Sequence, residues 1–355
     1  MNFDDFGSGL YGYDTRFYGV EFTYSSFKGM PYQRLGNSGL QVSRMGLGTW
    51  KMGYPERGDG ARVDKGKSLA ILDRALELGV TFWDTANRYN ESSGNSERVI
   101  GEWFAAHPGE RRNIVLATKC FGAMDGITPN HCGLSRANIL DSVYASLDRL
   151  QLDRVDLLLF HSYDDETPIE ESLNAVAALM AKDQVRYFGV SNFTVEQLAR
   201  YREVAEKHRL PSVQAVENRF DPLSGEVDSS KGVLAYCAEH GLSFLPYSPL
   251  KRGLLTNRYL KGKQVGAGDR LVDEGALEAM TQGKVYETLA RLDQLAQAEG
   301  LTIAQLSLAY TAQLPGMGSP IPSASSVAQL EENALAGVIQ LREETLKELH
   351  SLFVT

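Results

Sequence analysis

Four ionisable side chains follow three predicted strands, and together they could carry out one kind of proton transfer. Asp84 ends the mostly apolar run at residues 80–83 and Tyr89 lies in the next loop, whereas Lys119 and His161 each end a further apolar run. A tyrosine hydroxyl has an unperturbed pKa of ~10. We expect a neighbouring ammonium to lower that pKa and to make the tyrosine a better proton donor near neutral pH. In this scheme Asp84 keeps Lys119 charged and oriented, and His161 donates a hydrogen bond to a substrate oxygen.

Eight predicted strands, alternating with helical segments, position these side chains. The strands are at residues 45–48, 81–86, 114–119, 156–162, 187–192, 213–218, 243–249 and 319–322. Helical spacing of apolar residues occurs at 67–78, 96–104, 135–150, 169–181, 194–206 and 231–240. Such alternation predicts a closed (β/α)8 TIM barrel, in which the carboxyl ends of the strands meet at one rim. The four side chains would then face each other across that rim.

Three segments do not follow the alternation of strands and helices. Residues 32–43 alternate on either side of a Gly36–Gly39 turn, which predicts an N-terminal β-hairpin. Residues 250–283 are rich in glycine and charge, and a loop of that length is usually functional. Residues 1–30 carry nine aromatic residues between Gly, Asp and Ser. We therefore predict an aromatic-rich extension at 1–30, ordered against the barrel or a neighbouring subunit in an oligomer, and a single barrel domain at 31–355.

The composition excludes several classes of partner. The 355 residues have a formal net charge of −9 and form no long basic cluster, so we do not expect nucleic acid binding. An apolar stretch of about 18 residues is missing, so no membrane span is expected. The three cysteines are few and scattered, and the N-terminus lacks the pattern of a secretory signal, so we predict a cytoplasmic protein. The histidines show no metal-ligand spacing, and no metal site is predicted.

Short motifs follow the predicted strands in succession. They are Gly48-Thr-Trp50, Phe82-Trp-Asp84-Thr-Ala-Asn-Arg-Tyr89 with Gly94-Asn-Ser-Glu97, Ala117-Thr-Lys119, Gly189-Val-Ser-Asn-Phe193, Gln214, Tyr247-Ser-Pro-Leu250 with Arg252-Gly-Leu-Leu255, and Ile321-Pro-Ser-Ala-Ser-Ser326 with Gln329, Glu332 and Asn333. In this order the chain resembles the aldo-keto reductase family from about residue 32 to its C-terminus. The resemblance implies NAD(P)H-dependent reduction of aldehyde and ketone carbonyls, or oxidation of the corresponding alcohols or sugars, by hydride transfer.

The resemblance also implies the roles of the site residues. Tyr89 would be the general acid, Asp84 and Lys119 would lower its pKa, and His161 would orient the substrate carbonyl. The residues implied to bind the cofactor are Gly48, Thr49, Trp50, Asp84, Ser191, Asn192, Gln214, Tyr247, Ser248, Pro249, Leu250, Arg252, Leu254, Ser323, Ser325, Gln329, Glu332 and Asn333.

Within that set, three groups would hold three parts of a dinucleotide. Ser191, Asn192 and Gln214 would hold the nicotinamide carboxamide, and Tyr247 would stack on the ring. The pyrophosphate would be lined by Ser248, Leu250, Arg252 and Leu254. The adenosine end would be held by Ser323, Ser325, Gln329, Glu332 and Asn333.

NADP is the cofactor that family habit implies, and NAD stays open. Family members that prefer NADP often place a Lys or Arg after the eighth strand, but residues 323–333 contain neither. Ser325 and Ser326 could bind the 2′-phosphate instead, as could Arg258 or Arg270 from the long loop.

Two other functions are compatible with the same motifs. Regulatory channel subunits that resemble this family keep the fold and the cofactor and act mainly through protein partners. An aldose-type enzyme would hold NADP tightly without net redox. The intact set of four polar residues favours a turnover enzyme, and the substrate, a small carbonyl compound or sugar, is not identified by the sequence.

Overall fold

The computed structural model describes residues 25–353, and its first elements are the predicted hairpin with one added strand. Strand β1 (Ser26–Phe27) pairs antiparallel with β2 (Met30–Arg34), which pairs antiparallel with β3 (Gln41–Ser43). Tyr32 lies opposite Ser43 in this register. The aromatic residues before position 25 lie outside the described residues, so the proposed packing of the extension stays a prediction.

Seven parallel strands follow and curl into a barrel in chain order. They are β4 (Gly46–Gly48), β5 (Phe82–Asp84), β6 (Val115–Cys120), β7 (Val155–Phe160), β8 (Val185–Ser191), β9 (Ala215–Asp221) and β11 (Ser243–Tyr247), with a short antiparallel strand β10 (Gly225–Glu226) added to β9. Apolar side chains of Phe82, Leu157, Leu159, Ala215 and Leu245 fill the interior. The predicted strands thus agree with the observed ones to within three residues at either end.

The eighth barrel segment closes the barrel without forming a regular strand. On one side it accepts a hydrogen bond from Gly46 N at Pro320 O (2.9 Å) and another from Gly48 N at Pro322 O (3.1 Å). On the other side Ile321 N donates to Pro246 O at 3.1 Å. Because proline has no N–H, Pro320 and Pro322 cannot donate to a continuous ladder. The (β/α)8 barrel fold is therefore confirmed, with a closing segment held by isolated bridges.

The helices pack around the barrel close to their predicted positions. They span Lys65–Glu77, Asn95–Ala106, Arg136–Leu150, Ile169–Ala181, Val195–His208, Val233–His240, Val285–Glu299, Ile303–Thr311, Val327–Ala336 and Glu343–Phe353. Thr194 and Gln197 form the predicted capping box, in which side chain and backbone bond reciprocally. Two short helices, Arg270–Asp273 and Leu277–Met280, interrupt the long segment at 250–283.

The hairpin covers the amino-terminal end of the barrel. Gly36 N donates to Ser243 Oγ at 2.7 Å, and a Cβ on Gly36 would lie 2.3 Å from the carbonyl oxygen of Gln214. Leu35 and Val42 join the apolar interior. Since this end is covered, the carboxyl ends of the strands are the accessible rim of the barrel. Within the described residues, no helix has the length and apolarity needed to cross a membrane.

Candidate active site

Three of the four predicted catalytic side chains form one hydrogen-bonded cluster. The Lys119 ammonium, which is fully buried, donates to Asp84 Oδ1 at 2.5 Å, to the Thr85 carbonyl at 3.0 Å and to Tyr89 Oη at 2.8 Å. The Tyr89 hydroxyl in turn donates to Asp84 Oδ2 at 3.1 Å. The cluster therefore joins a proton donor, a cation and a carboxylate.

Strand register and a strained turn bring these groups together. Asp84 lies opposite Ala117 in the β5–β6 pair, so Lys119 extends beyond the end of β5. Tyr89 is followed by Asn90 and Glu91 with φ of +56° and +58°, a conformation that L-residues seldom adopt. The Asn90 amide donates to the Met52 carbonyl at 2.6 Å and holds this turn in place. Strain of this kind is common at functional sites.

His161 stands beside the cluster as an uncharged ring. Its ring centroid lies 6.0 Å from that of Tyr89, and its backbone N–H donates to the Cys120 carbonyl at 3.0 Å. Burial, assisted by the positive charges of Lys119 and Arg88, lowers the pKa of His161 to about 3. A neutral imidazole can exchange hydrogen bonds with a substrate oxygen without adding charge to the site.

The pKa of Tyr89 moves in the opposite direction from the one expected from the sequence. Burial raises this pKa well above its ordinary value, and the Asp84 carboxylate raises it further, while Lys119 acts against both. For Lys119, burial acts to lower the pKa, but the nearby carboxylates outweigh burial and keep that pKa well above the usual value. Tyr89 thus stays protonated at neutral pH, which is the state that a proton donor requires.

Glu217 is a site residue that the sequence analysis missed. It is 2% exposed, lies level with Ser191 in the β8–β9 pair, and places Oε2 3.2 Å from Lys119 Nζ. All three N–H groups of Lys119 are already donated elsewhere, so this oxygen has an ionic contact but no hydrogen bond. Burial, reinforced by the Asp84 carboxylate, raises the pKa of Glu217 to about 8. Alternation along β9 from the interior residue Ala215 could have pointed to it.

Gln214 is not brought to the rim, contrary to what the resemblance implied. It precedes β9 at the covered end of the barrel, where its side-chain amide donates to Ser212 Oγ at 2.9 Å and its main-chain carbonyl accepts from Ser243 N at 3.0 Å. The residues of β9 that line the cavity at the rim are Glu217 and Arg219. A polar residue at the start of a strand and one at its end look alike in a short polar–apolar pattern, which explains the error.

A cavity of about 700 Å³ opens above the cluster at the carboxyl rim. Of the residues predicted to bind the cofactor, those that line it are Gly48, Trp50, Asp84, Ser191, Asn192, Tyr247, Ser248, Arg252 and Ser323. Tyr247 presents its ring there and donates from its hydroxyl to Asn192 Oδ1 at 2.8 Å. The cavity is therefore lined by an aromatic face, amide and hydroxyl groups, and cations.

Other predicted cofactor residues lie behind or beside this cavity. Thr49 is buried and donates to the Asp84 carbonyl at 2.9 Å, and Pro249 and Leu254 are buried as well. Leu250 is half-buried next to them. Their side chains support the wall and do not form its surface.

The residues predicted to hold the adenosine end form a separate small group. The Ser325 backbone and hydroxyl both donate to Gln329 Oε1 at 2.9 Å, and the Asn333 amide donates to the Ser323 carbonyl at 3.4 Å. Glu332 lies half-exposed on the same helix. Ser323 belongs to this group and also lines the cavity, so the two sets are continuous.

Comparison with known proteins identifies the family. The model of the aldo/keto reductase family matches residues 44–353, which is most of the chain. The chain belongs to the aldo/keto reductase family. Membership of this family implies a (β/α)8 barrel and an oxidoreductase that acts on small molecules with a nicotinamide cofactor.

Several curated aldo/keto reductase relatives align over most of their length. Aldo-keto reductase AMT2 of Alternaria alternata is 32% identical, over 88% of this chain and 89% of its own. A protein of Arabidopsis thaliana named "Probable voltage-gated potassium channel subunit beta" is 32% identical, over 86% of this chain and 91% of its own. Protein tas of Escherichia coli is 30% identical, over 91% and 97%. The family thus includes proteins named as reductases and proteins named as channel subunits.

Proposed function

We propose that this protein reduces the carbonyl group of aldehydes or ketones with NADPH, and catalyses the reverse oxidation of alcohols or sugars. The observation that carries the proposal is the Tyr89 hydroxyl, bonded to both the Lys119 ammonium and the Asp84 carboxylate at the base of an open cavity. General acid catalysis needs a proton donor at the reacting oxygen and a group that stabilises the anion left behind.

The cavity lining suits a nicotinamide dinucleotide. Ser191 and Asn192 would hold the carboxamide, and Tyr247 would stack on the ring. Glu217 would take the place assigned to Gln214, because it lines the cavity level with Ser191 and a carboxyl oxygen can accept a hydrogen bond from the amide N–H₂. Ser248 and Arg252 would hold the phosphates. Ser323 would connect this part of the site to the residues proposed to bind the adenosine end.

The chain's own residues would manage the proton and the orientation. When bound, the reduced nicotinamide supplies the hydride. Neutral His161 holds the substrate oxygen within reach of Tyr89, which donates its proton to that oxygen. Lys119 then stabilises the resulting phenolate, and Asp84 keeps the ammonium in place.

NADP is proposed over NAD because cations are available near the expected phosphate positions. Arg270 lines the cavity and stacks over Trp50, with its guanidinium 5.2 Å from the ring centroid, and it also pairs with Glu274 at 2.8 Å. Arg258 is paired with Asp269. Ser325 and Ser326 are exposed at the adenosine end. Titration of the protein fluorescence with NADPH and NADH measures the preference, and tighter binding of NADH would contradict the choice.

Turnover separates the proposed reductase from a regulatory subunit. The names of relatives from Arabidopsis thaliana and Schizosaccharomyces pombe favour the second function as the alternative. We expect continued oxidation of NADPH in the presence of a panel of aldehydes, ketones and sugars. A single burst, equal in amount to the enzyme and followed by no turnover, would instead support a subunit that acts through protein partners. Both functions agree with a cytoplasmic location, as do the free cysteines Cys120, Cys132 and Cys237.

A further inference from the structure

A second cavity of about 670 Å³ lies next to the active-site cavity and has no assigned occupant. It is formed by the end of β9, the segment after β11 and the start of the helix Val285–Glu299. Its lining residues are Arg219, Leu223, Lys251, Arg252, Ala279, Met280, Lys284, Val285 and Thr288. Arg219 and Arg252 also line the active-site cavity, so the two cavities share a wall.

The lining of this second cavity is positively charged. It contains four cationic side chains and no carboxylate. Lys251 is 3.5 Å from Asp221 and Arg252 is 3.3 Å from Glu274, so each has one acidic neighbour behind the wall. Within residues 25–353, the side chains of Arg219 and Lys284 form no ion pair and no hydrogen bond. Two cations therefore face the cavity without a carboxylate in direct contact, although the Asp221 carboxylate is near enough to Arg219 to interact with its charge.

The backbone before this cavity is held in an unusual conformation. Lys251 and Arg252 have φ of +48° and +56°, in the left-handed region that non-glycine residues seldom occupy. The turn is fixed by hydrogen bonds from Lys251 N to Ser248 O (2.8 Å) and from Gly253 N to Leu250 O (2.8 Å). Backbone strain at two consecutive cationic residues is the kind of feature that persists where it has a use.

The proposed cofactor meets this cavity only at Arg252, which belongs to the shared wall. The proposed cofactor residues Tyr247, Ser248 and Ser323 line the active-site cavity, and among all proposed cofactor residues the second cavity contains only Arg252. Arg219 lies opposite Tyr247 in the β9–β11 pair, which places the shared wall beside the position proposed for the nicotinamide. A substrate bound at Tyr89 is therefore the ligand best placed to extend into the second cavity.

We propose that the second cavity is a subsite for the anionic group of a carbonyl substrate, a phosphate or a carboxylate, whose carbonyl oxygen is bound at Tyr89. This inference rests on the proposed function and names its substrate class. Arg219 and Lys284 bind the anion, with Arg219 offering a planar pair of donors and Lys284 a mobile point charge. A neutral carbonyl compound would form no ion pair with either residue.

Kinetics with matched substrates test the subsite. The pairs are glucose 6-phosphate against glucose and 4-oxobutanoate against butanal, which also distinguish phosphate from carboxylate. We expect wild type to prefer at least one anionic member, and Lys284→Ala to lower kcat/KM for that member by roughly tenfold, as for loss of one charged contact. Activity on the neutral members should be unchanged. Lys263→Ala removes another exposed lysine outside the cavity and serves as the control. It should leave kcat/KM unchanged for both the anionic and the neutral members.

Direct binding distinguishes failure of the subsite from failure of the proposed reaction. Inorganic phosphate, titrated against the full-length protein by calorimetry, should bind wild type and the Lys263→Ala variant alike and bind Lys284→Ala several-fold more weakly. If no carbonyl compound is reduced but this difference is found, the subsite stands and the proposed reaction fails. Equal phosphate binding by all three proteins, equal losses on neutral and anionic substrates, or weaker NADPH binding by Lys284→Ala would each overturn the subsite.

Discussion

At the scale of single residues, the site depends on one ammonium group that has more neighbours than protons. Lys119 donates to Asp84, Thr85 and Tyr89, and Glu217 is its fourth contact. Breaking a buried charge pair on one side is costly, because the remaining charge is left without compensation. The two carboxylates therefore need to be considered together with the lysine when the site is altered.

The first prediction concerns the proposed proton donor. Tyr89→Phe removes the hydroxyl and little volume, so the cavity should keep its shape. We expect turnover to fall by roughly 10²–10⁴, the usual contribution of a general acid. NADPH affinity should stay within a factor of about two of wild type, because the hydroxyl contributes at most one weak contact to the cofactor. Turnover equal to that of wild type would remove Tyr89 from the mechanism.

The second prediction concerns the pH dependence of stability at Glu217. Its pKa is raised from the ordinary 4.5 to about 8, so its contribution to folding is complete below pH 4.5 and is lost as the pH rises through 8. Glu217→Gln removes this titration while keeping the shape. The unfolding free energy of wild type, measured in urea between pH 5 and 8, should fall more steeply than that of the variant, by up to about 1.4 kcal/mol per pH unit.

A matching change in activity would separate a role in the site from a structural role. Below pH 8 the two proteins should have similar pH–rate profiles, and only wild type should show an inflection near the pKa of Glu217. Identical slopes of stability with pH in both proteins would mean that Glu217 is ionised in the folded state throughout this range.

At the scale of elements, the hairpin fits the covered end of the barrel through a close backbone contact. Gly36 has φ of +58° and approaches the Gln214 carbonyl so closely that no side chain fits between them. Gly58 has φ of +72° and would meet nothing within 4 Å. The two glycines thus share a conformation and differ in their surroundings.

This pair gives the third prediction. Gly36→Ala and Gly58→Ala both carry the cost of a left-handed alanine, and Gly36→Ala adds a clash with the Gln214 backbone. We expect Gly36→Ala to lower the unfolding free energy by about 2 kcal/mol more than Gly58→Ala, within the range for overpacked sites. Chemical denaturation measures the difference. Equal losses would mean that the hairpin moves away from β9 at little cost.

Element positions were predictable from the sequence because apolar runs and helix caps leave local signals. The ends of β5, β6 and β7 follow from short apolar runs, and Asp84, Lys119 and His161 stand directly after them. Errors arose where the local signal was ambiguous. Gln214 directly precedes β9 and Glu217 lies within it, and only the register with β8 shows which one faces the cavity.

Interactions between distant segments were not predictable. The approach of Arg219 to Lys284 around one cavity depends on how the segment at 250–283 folds back over β9. The rise of the Tyr89 pKa above its ordinary value depends on burial, which the sequence does not show. Both require the three-dimensional packing of chain segments whose spacing along the sequence carries no period.

At the scale of the whole molecule, the N-terminal segment contributes to the barrel before the hairpin begins. Met30 is 2% exposed. The Phe27 carbonyl oxygen lies so close to Gly79 that a Cβ on Gly79 would be only 2.2 Å from it. Phe27 and Met30 are therefore packed against the barrel. Residues 1–24 supply the rest of the proposed extension.

The fourth prediction compares two truncations. Removal of residues 1–30 should lower the unfolding free energy by about 2 kcal/mol or more, the usual cost of losing a buried apolar side chain. Removal of residues 1–24 should lower the melting temperature or change the oligomeric mass in light scattering, as the proposed packing of the extension requires. A protein shortened by 24 residues that melts, assembles and reacts like the full chain would show that the aromatic segment is a tail.

The proline-rich closing segment has a consequence for the order of folding. It joins β4, near the start of the barrel, to β11, near its end, so its bridges connect parts of the chain that are far apart in sequence. Contacts of that kind form late, because closing a long loop costs entropy before any contact repays it. Ser323 lies on this segment, and the other residues proposed to bind the adenosine end follow directly in the chain. The last step of barrel assembly would therefore also complete the dinucleotide site, and a nascent chain would acquire affinity for its cofactor only once the barrel has closed.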